Sequence, residues 1–341
     1  MKKKNYKKDY FVIAEVGQNH QGSVDYALEY VKIFSALGAD AIKFQVRNNK
    51  SLFSNEAYKA NYNSENAFAK TYGKHREKLE LSYKDLVRVK NECKRYNVKF
   101  MVTPFDEISL EKICKIGVDI IKIASFDLGN LPLINKIAKK KKTTVISVGG
   151  GNSKQIESSV KLLKKYIKNL IILHCNSEYP TPYDRLGLEN ITKLKKKFKS
   201  CIVGSSDHFN GILSGPIAYM LGARVFEKHV TLNRSWKGTD HSFALEPEGF
   251  RKFVRDIDRT PKMLPLKKNK LIGKEPVFKK LGKSITTNKI IKKNSKIKIE
   301  DLTGIIFQDN FIPIRRSNEI IGKKAQKDLI PGKPLNKSDY K

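Results

Sequence analysis

The chain has 341 residues, of which 40% are hydrophobic, and this composition excludes an intrinsically disordered protein. Lysine and arginine (68) outnumber aspartate and glutamate (34), which gives a formal net charge of +34. The lysines are scattered over predicted helix faces and loops without interleaved aromatic residues, so the charge indicates a solvated surface and argues against a nucleic-acid-binding protein.

The cysteines and the N-terminus indicate the compartment. Cys93, Cys114, Cys175 and Cys201 are far apart and form no Cys-x-x-Cys pair, which argues against a disulfide framework or a structural zinc site. The basic N-terminus is followed by an apolar run that is too short for a signal peptide and contains Glu15. No segment approaches transmembrane length. We therefore expect a cytoplasmic protein that binds no membrane.

Short apolar runs alternate with amphipathic patterns along most of the chain. Strands are predicted at residues 10–16, 41–46, 98–103, 120–124, 144–148, 170–174, 201–204 and 224–227. Helices are predicted at residues 24–37, 83–96, 110–116, 131–139, 153–166, 187–198 and 211–221. Eight strands with helical crossovers predict an α/β fold of the (β/α)8 TIM-barrel class. An open doubly wound sheet is the alternative, although no Gly-x-Gly-x-x-Gly fingerprint follows the first strand.

Polar side chains follow every predicted strand. In chain order they are Glu15, Lys43, Gln45, Thr103, Lys122, Ser125, Ser147, His174, Asn176, Ser177, Ser206, Asp207, His208, Lys228 and His229. Because the carboxyl ends of parallel strands meet at one mouth of a barrel, we expect these residues to converge there.

Part of this set predicts an anion receptor. Lysines supply positive charge, and small hydroxyls supply directed hydrogen-bond donors. The candidates are Lys43, Lys122, Thr103, Ser125 and Ser147. They would bind a phosphate and a carboxylate group. Hydroxyls at strand ends are also common helix N-caps, an alternative that stays open for Ser147 and Ser206.

Two histidines at successive strand ends predict a metal site. His208 and His229 would ligate one divalent ion, and waters or substrate oxygens would complete an octahedral shell of the Mn or Mg type. The segment WKGTDH (236–241) follows the last strand, so Asp240 is expected beside the mouth. There it would support the metal or bind sugar hydroxyls, unless the segment is an ordinary surface turn.

Together these motifs resemble the N-acetylneuraminate (sialic acid) synthase family, which includes legionaminate and pseudaminate synthases. The resemblance covers the chain from about residue 10 to the C-terminus. The motifs are AEVGQNHQG (14–22), AIKFQ (41–45), TPF (103–105), IKIAS (121–125), HCNSEYPTP (174–182), GSSDH (204–208), EKHVT (227–231) and WKGTDH (236–241).

The resemblance implies a reaction and a role for each matching residue. The family condenses phosphoenolpyruvate with an N-acylated hexosamine such as N-acetylmannosamine. The matches imply that Glu15 and Asp240 are catalytic acids and that His208 and His229 bind the metal, Mn or Mg. The phosphoenolpyruvate positions are Lys43, Thr103, Lys122, Ser125, Ser147, Ser177 and Ser206. The sugar positions are Gln45, Asp127 and Tyr179.

The resemblance also implies a domain organisation. It places a TIM-barrel catalytic domain at residues 1–262, a linker at 263–279, and a small antifreeze-like (SAF, β-clip) domain at 280–341. In family members the C-terminal domain of one subunit covers the partner's barrel mouth, which implies a domain-swapped homodimer.

The chain departs from the family pattern at three places. Ser125-Phe126-Asp127 replaces Ser-Gly-Glu, and Ser147-Val148-Gly149 replaces Ser-Thr-Gly. The C-terminal Arg-Pro-Gly is replaced by the residues 306–309, IFQD. These changes leave the identity of the acyl sugar open among acetylneuraminate, legionaminate and pseudaminate precursors.

Three questions about the function stay open at this point. The segment AKTYGKHR (69–76) resembles the equivalent stretch of the 9-phosphate synthases, so its basic residues would contact either a sugar phosphate or solvent. A Schiff-base aldolase with Lys122 as the amine is a rival enzyme class. Polyanion binding by the basic surface is the rival outside enzymes.

Overall fold

A closed parallel barrel dominates the fold. The computed structural model describes residues 8–263 and 275–341. Eight strands are hydrogen-bonded in sequential order and close into a barrel, which confirms the predicted (β/α)8 architecture. The strands are β1 Phe11–Gly17, β2 Ala41–Val46, β3 Lys99–Pro104, β4 Ile120–Ile123, β5 Thr143–Ser147, β6 Leu170–Cys175, β7 Ile202–Asp207 and β8 Val225–His229.

Helices connect the strands and surround the barrel. They are α1 Val24–Ala36, α2 Asn49–Leu52, α3 Asn55–Lys59, α4 Tyr72–Lys78, α5 Tyr83–Arg95, α6 Glu107–Ile116, α7 Leu131–Lys139, α8 Ser153–Lys164, α9 Asn190–Lys197, α10 Ser214–Met220 and α11 Pro247–Met263. The seven predicted helices are present, α7 with the predicted bounds and the other six with shifted ends, whereas α2, α3, α4 and α11 were not predicted. In the described part of the chain, no helix combines the length and apolar character needed to cross a membrane.

Side chains inside the barrel form two layers. Alternate strand residues point inward, because successive side chains of a strand face opposite sides. The lower layer is an apolar cluster of Ile13, Ala41, Met101, Ile120, Val145, Ile171, Leu173 and Val225. Two residues further along, the inward positions become polar: Ile13 is followed by Glu15, Ala41 by Lys43, and Ile120 by Lys122. The apolar layer therefore closes the barrel below and supports a polar floor above it.

The outward-facing strand residues build the main core. Val12, Ala14, Ile42, Phe44 and Phe100 are completely buried and belong to the cluster that packs against the helices. This arrangement clamps each strand between two apolar layers, so the strand ends that carry the polar residues are held in fixed positions.

The C-terminal residues form a second compact unit, and the division lies between Leu264 and Pro265. Helix α12, Pro276–Leu281, precedes an antiparallel pair of strands, β9 Ser284–Thr287 and β10 Leu302–Ile305. A small core of Ile285, Ile291, Ile297, Ile320, Ala325, Leu329 and Leu335 holds this unit together. Residues 264–274, which form most of the predicted linker, lie outside the described residues.

Candidate active site

Glu227 lies at the centre of the polar floor. Its Oε1 is 3.1 Å from Lys122 Nζ and 3.2 Å from Lys43 Nζ, and it accepts a hydrogen bond of 2.9 Å from Ser206 Oγ. Strands β2, β4, β7 and β8 each contribute one of these side chains. The Glu227 carboxylate on β8 therefore holds two lysines and a hydroxyl from three other strands in a single cluster.

Glu15 is the second carboxylate of the floor and is only 1% exposed. Its Oε1 is 3.2 Å from Lys43 Nζ and accepts a hydrogen bond of 2.8 Å from Gln45 Nε2. Its Oε2 is buried and has no hydrogen-bond partner among the described residues. Burial raises the pKa of Glu15, and this effect is larger than the lowering caused by the charge of Lys43. Glu15 thus has a free oxygen atom and a raised pKa, both of which suit a proton-transfer group.

The four charges of the floor compensate one another. Burial opposes ionisation of Glu227, but the charges of Lys122 and Lys43 outweigh it and hold the pKa of Glu227 far below its usual range. Burial lowers the pKa of Lys122, and the ion pair with Glu227 opposes that change. The 3.1 Å contact with Glu227 favours the ammonium form of Lys122, whereas a Schiff-base aldolase needs the neutral amine.

Hydroxyl groups surround the lysines. Lys43 Nζ donates to Thr103 Oγ1 at 3.3 Å, and Ser147 Oγ is buried without a partner among the described residues. A buried hydroxyl that lacks a partner costs about 1–3 kcal/mol. Bound ligand oxygens would remove this cost.

Gly149 allows two further hydroxyls to approach each other. Its N–H donates to Ser125 Oγ at 3.1 Å. A Cβ atom at Gly149 would lie 2.8 Å from Ser177 Oγ and 2.9 Å from Ser125 Oγ, closer than side-chain carbons pack. The absence of a side chain therefore keeps both hydroxyls beside one backbone N–H group, as expected for an oxyanion-binding turn.

His208 and His229 lie together above the floor. Their ring centroids are 5.3 Å apart, and the Tyr179 ring lies 4.0 Å from that of His208. His208 Nδ1 contacts Asn176 O at 2.5 Å, so Nε2 is left for a ligand. His229 Nδ1 is buried without a hydrogen-bond partner among the described residues and is 3.7 Å from Asp240 Oδ2.

This donor set fits a divalent metal ion. Burial lowers the pKa of His229 to about 4, so at neutral pH its imidazole keeps the lone pair that a metal requires. No group of three or more His, Cys, Asp or Glu side chains in residues 8–263 or 275–341 is arranged to hold a metal ion. The two imidazoles would therefore share the ion with water and substrate oxygens, as Mn²⁺ and Mg²⁺ allow.

We expect His229→Ala to lower the affinity for Mn²⁺ by at least about 100-fold, since loss of even an outer partner of a ligand costs roughly 10–100-fold. Equilibrium dialysis would measure the affinity. The matched control is His174→Ala, because His174 faces away from the cavity and contacts Leu186 O. Equal Mn²⁺ affinity in both variants would contradict the assignment of His229 as a ligand.

Gly17 brings the two predicted catalytic acids close together. Its φ of +56° lies in the left-handed region. A Cβ atom there would lie 3.3 Å from Glu15 Oε1 and 3.6 Å from Asp240 Oδ2. The conformation and the missing side chain thus let the loop that carries Asp240 reach the end of β1.

These groups open into a cavity of about 480 Å³ at the carboxyl ends of the strands. All predicted site residues line it except Asp127 and Ser177. Ser177 lies beside Gly149, as described above. Asp127 accepts a hydrogen bond of 2.9 Å from Asn130 Nδ2, next to the start of α7.

The expectation that every polar strand end faces the mouth is wrong at four positions. Asn176 does not line the cavity, and its Nδ2 donates to Arg185 O. His174, Asp207 and Lys228 point outward, because they alternate with inward-facing Cys175, Ser206 and Glu227. Lys228 Nζ forms a buried ion pair with Asp207 Oδ2 at 2.7 Å. These outward residues fasten strands and loops behind the site.

Several residues that line the cavity were not predicted from the sequence. They are Gln18, Arg47, Asn66, Phe105, Phe126, Cys175, Glu227 and Thr239, together with Ala124. Arg76 also lines the cavity, and it belongs to the segment 69–76 whose basic residues were expected to contact either a sugar phosphate or solvent. For Glu227 the available signal was its spacing of two residues from His229, which places both side chains on the same face of the strand. Arg47 has the same relation to Gln45.

Comparison with known proteins agrees with this geometry. A family model described as the NeuB family matches residues 30–269. Human N-acetylneuraminate-9-phosphate synthase is 31% identical over 316 residues, which cover 92% of this chain and 88% of that protein. The N,N'-diacetyllegionaminic acid synthase of Campylobacter jejuni is 34% identical over 336 residues, 93% of this chain and 96% of that protein. A solved structure of the N-acetylneuraminic acid (sialic acid) synthetase of Leptospira borgpetersenii superposes with a TM-score of 0.67 at 32% identity, covering 76% of this chain and 87% of that chain.

Proposed function

The chain belongs to the NeuB family, and from this premise we propose that it is a nonulosonate (sialic acid) synthase. The enzyme condenses phosphoenolpyruvate with N-acetylmannosamine or a related N-acyl hexosamine. The products are a nine-carbon 2-keto acid and inorganic phosphate. This makes the protein a C–C bond-forming transferase.

The observation that supports the proposal most strongly is the floor of the cavity. Lys43 and Lys122 lie beside the unpartnered hydroxyl of Ser147 and the free oxygen of Glu15. Lysines and hydroxyls are the groups that bind a phosphate and a carboxylate, and phosphoenolpyruvate carries both. The same floor offers a proton acceptor within the cavity.

In the proposed reaction, C3 of phosphoenolpyruvate forms a bond to the aldehyde carbon of the open-chain sugar. Water adds at C2, and the phosphate leaves with its bridging oxygen by cleavage of the C–O bond. The lysines and hydroxyls hold phosphoenolpyruvate in reach of the acceptor, which replaces a bimolecular encounter by a fixed geometry. Glu15 orients the water and takes one of its protons at Oε2, and this proton passes to the former aldehyde oxygen, which becomes a hydroxyl. The second water proton leaves with the phosphate when the C2 hydroxyl becomes the ketone. Asp240 binds an acceptor hydroxyl beside Glu15.

His208 and His229 would hold the divalent ion, and Tyr179 packs against His208 to fix the ring. When bound, the ion supplies Lewis-acid polarisation of the acceptor's aldehyde oxygen. Gln45 and Asp127 are proposed to bind the sugar. Gln45 also donates to Glu15, which fixes the orientation of that carboxylate.

We further propose that the second unit is the antifreeze-like (SAF) domain of this family and that the protein is a domain-swapped homodimer. The assignment of the second unit as an SAF domain rests on the C-terminal motifs GKSI (282–285) and IIGKKA (320–325). Ile285, Ile320 and Ala325 belong to the core of that unit, so these motifs are structural in part.

The acceptor is tested by measuring phosphate release from phosphoenolpyruvate with Mn²⁺ present. N-acetylmannosamine, its 6-phosphate and a 2,4-diacetamido hexose are compared. We expect release with one of these sugars, which would identify the product as acetylneuraminate, its 9-phosphate, or a legionaminate- or pseudaminate-type acid. No release with any sugar, from folded protein that binds Mn²⁺, would contradict the proposed function.

A further inference from the structure

The rim of the cavity carries a buried arginine whose hydrogen bonds are incomplete. Arg47 follows β2, and its side chain is 7% exposed. Its guanidinium stacks on the Phe105 ring with 3.9 Å from Cζ to the centroid, and Nη2 donates to Gln45 Oε1 at 2.6 Å. Nη1 has no hydrogen-bond partner among the described residues and is 3.7 Å from Glu80 Oε1. Arg47 is thus held rigidly while one of its donors is unused.

A second arginine completes the rim. Arg76 lies on α4 and lines the same cavity, and its Nε is also buried without a partner among the described residues. The segment that bears it is fastened to the opposite wall, since Asn66 Oδ1 accepts a hydrogen bond of 2.8 Å from the N–H of Gly238. This contact ties the chain that leads into α4 to the loop that follows β8.

The two guanidiniums are close enough to influence each other. Burial, followed by the charge of Arg76, lowers the pKa of Arg47 to about 10, so both groups stay charged at neutral pH. Other charged groups that influence Arg47 are Glu80 and Asp240. Glu80 is committed elsewhere as well, since it accepts from the N–H of Arg47 and from Gln18 Nε2. A structural ion pair would use these donors fully, whereas two charged donors left unused beside a cavity point to an anionic ligand.

The hydrogen bonds that link the floor to the rim indicate which end of a bound acceptor sugar lies near Arg47. Gln45 donates to Glu15 on the floor and accepts from Arg47 at the rim, so one amide group spans the distance between them. An acceptor whose aldehyde carbon reacts at the floor extends its other end toward Arg47. In a hexose that end is the C6 position.

We infer that Arg47 and Arg76 bind a phosphate monoester on the acceptor, so that the acceptor is a 6-phosphorylated N-acyl hexosamine. This inference rests on the proposed function and specifies its substrate class. The planar fork of a guanidinium can donate to two oxygens of one phosphate group, so two arginines can bind all of its free oxygens.

The test compares N-acetylmannosamine with its 6-phosphate as acceptors. For the unaltered protein we expect kcat/KM to be at least about 30-fold higher with the 6-phosphate. In Arg76→Gln this preference should fall by at least about 30-fold, because a buried charge pair has lost one partner. Arg76→Lys should restore part of it. The matched control is Lys74→Gln, an exposed lysine on the same helix, which should keep the full preference.

The outcomes separate this inference from the proposed function. Equal kcat/KM for the two sugars would overturn the inference and leave the synthase proposal intact. A rise in the KM for phosphoenolpyruvate in Arg76→Gln, without loss of the sugar preference, would also overturn it by assigning the arginines to the other substrate. If neither sugar reacts, calorimetric binding of the 6-phosphate decides the inference: we expect binding that Arg76→Gln weakens, and no binding would refute it.

Discussion

Replacing Glu15 by Gln is expected to leave phosphoenolpyruvate binding intact and to lower turnover by roughly 10²–10⁴-fold. The amide keeps the shape of the carboxyl group and its place beside Lys43 and Gln45, but it cannot take up a proton. Calorimetry with phosphoenolpyruvate and the phosphate-release assay would measure the two effects separately.

The control for this substitution is Glu29→Gln, which changes an exposed carboxylate on α1 in the same way. It should leave both quantities unchanged. Turnover retained in Glu15→Gln would remove Glu15 from proton transfer. Lost phosphoenolpyruvate binding would instead assign it to the structure of the floor.

Replacing Glu227 by Gln is expected to lower the free energy of unfolding by about 3–5 kcal/mol at pH 7. The substitution leaves the buried ammonium groups of Lys43 and Lys122 with Glu15 as their remaining carboxylate in the floor. Chemical denaturation would measure the loss, again with Glu29→Gln as the control. Added phosphate should restore part of the stability, because an anion that binds the folded state stabilises it.

The same residue predicts how stability depends on pH. Because the folded-state pKa of Glu227 is depressed, its contribution is fully present above the ordinary glutamate pKa of about 4.3 and is lost as the pH falls further toward the folded-state value. We expect this acid-side loss to be smaller in Glu227→Gln. An unchanged unfolding free energy at pH 7, with the same acid sensitivity as the unaltered protein, would contradict the central role of Glu227.

The barrel was predictable because its strands are short, apolar and separated by amphipathic helices. Glycine follows three of the predicted helices, at Gly38, Gly117 and Gly222, and all three have a positive φ in the structure, as is typical of residues that end helices. Helix α11 was missed although Phe250, Phe253 and Ile257 have helical spacing and are buried. Pro261 lies inside this helix near its end, where a proline normally indicates a terminus.

The sequence predicted which strand ends carry polar residues, but it did not predict which of these side chains point into the barrel. Lys43 and Lys122 were assigned correctly to the cavity, because a buried lysine near a strand end has few structural explanations. Lys228 looked equivalent in the sequence, but it is buried on the outer face in an ion pair with Asp207. Only the alternation along β8 distinguishes it from Glu227 and His229. The rim was predicted only in part: the basic segment that contains Arg76 was expected to contact either a sugar phosphate or solvent, and no local pattern specifies the path of this segment between β2 and β3.

The opposing charges of the polar floor affect how an anionic substrate reaches the site. Two lysines and two glutamates in contact oppose one another's charges, so their combined field falls off with distance faster than that of a single lysine and attracts a distant anion only weakly. Diffusional capture then depends on the arginine rim and on the surplus of basic residues over the whole chain. Ions in solution screen that attraction beyond about 8–10 Å. Ionic strength would therefore govern the association rate, while the buried floor governs how long the substrate stays.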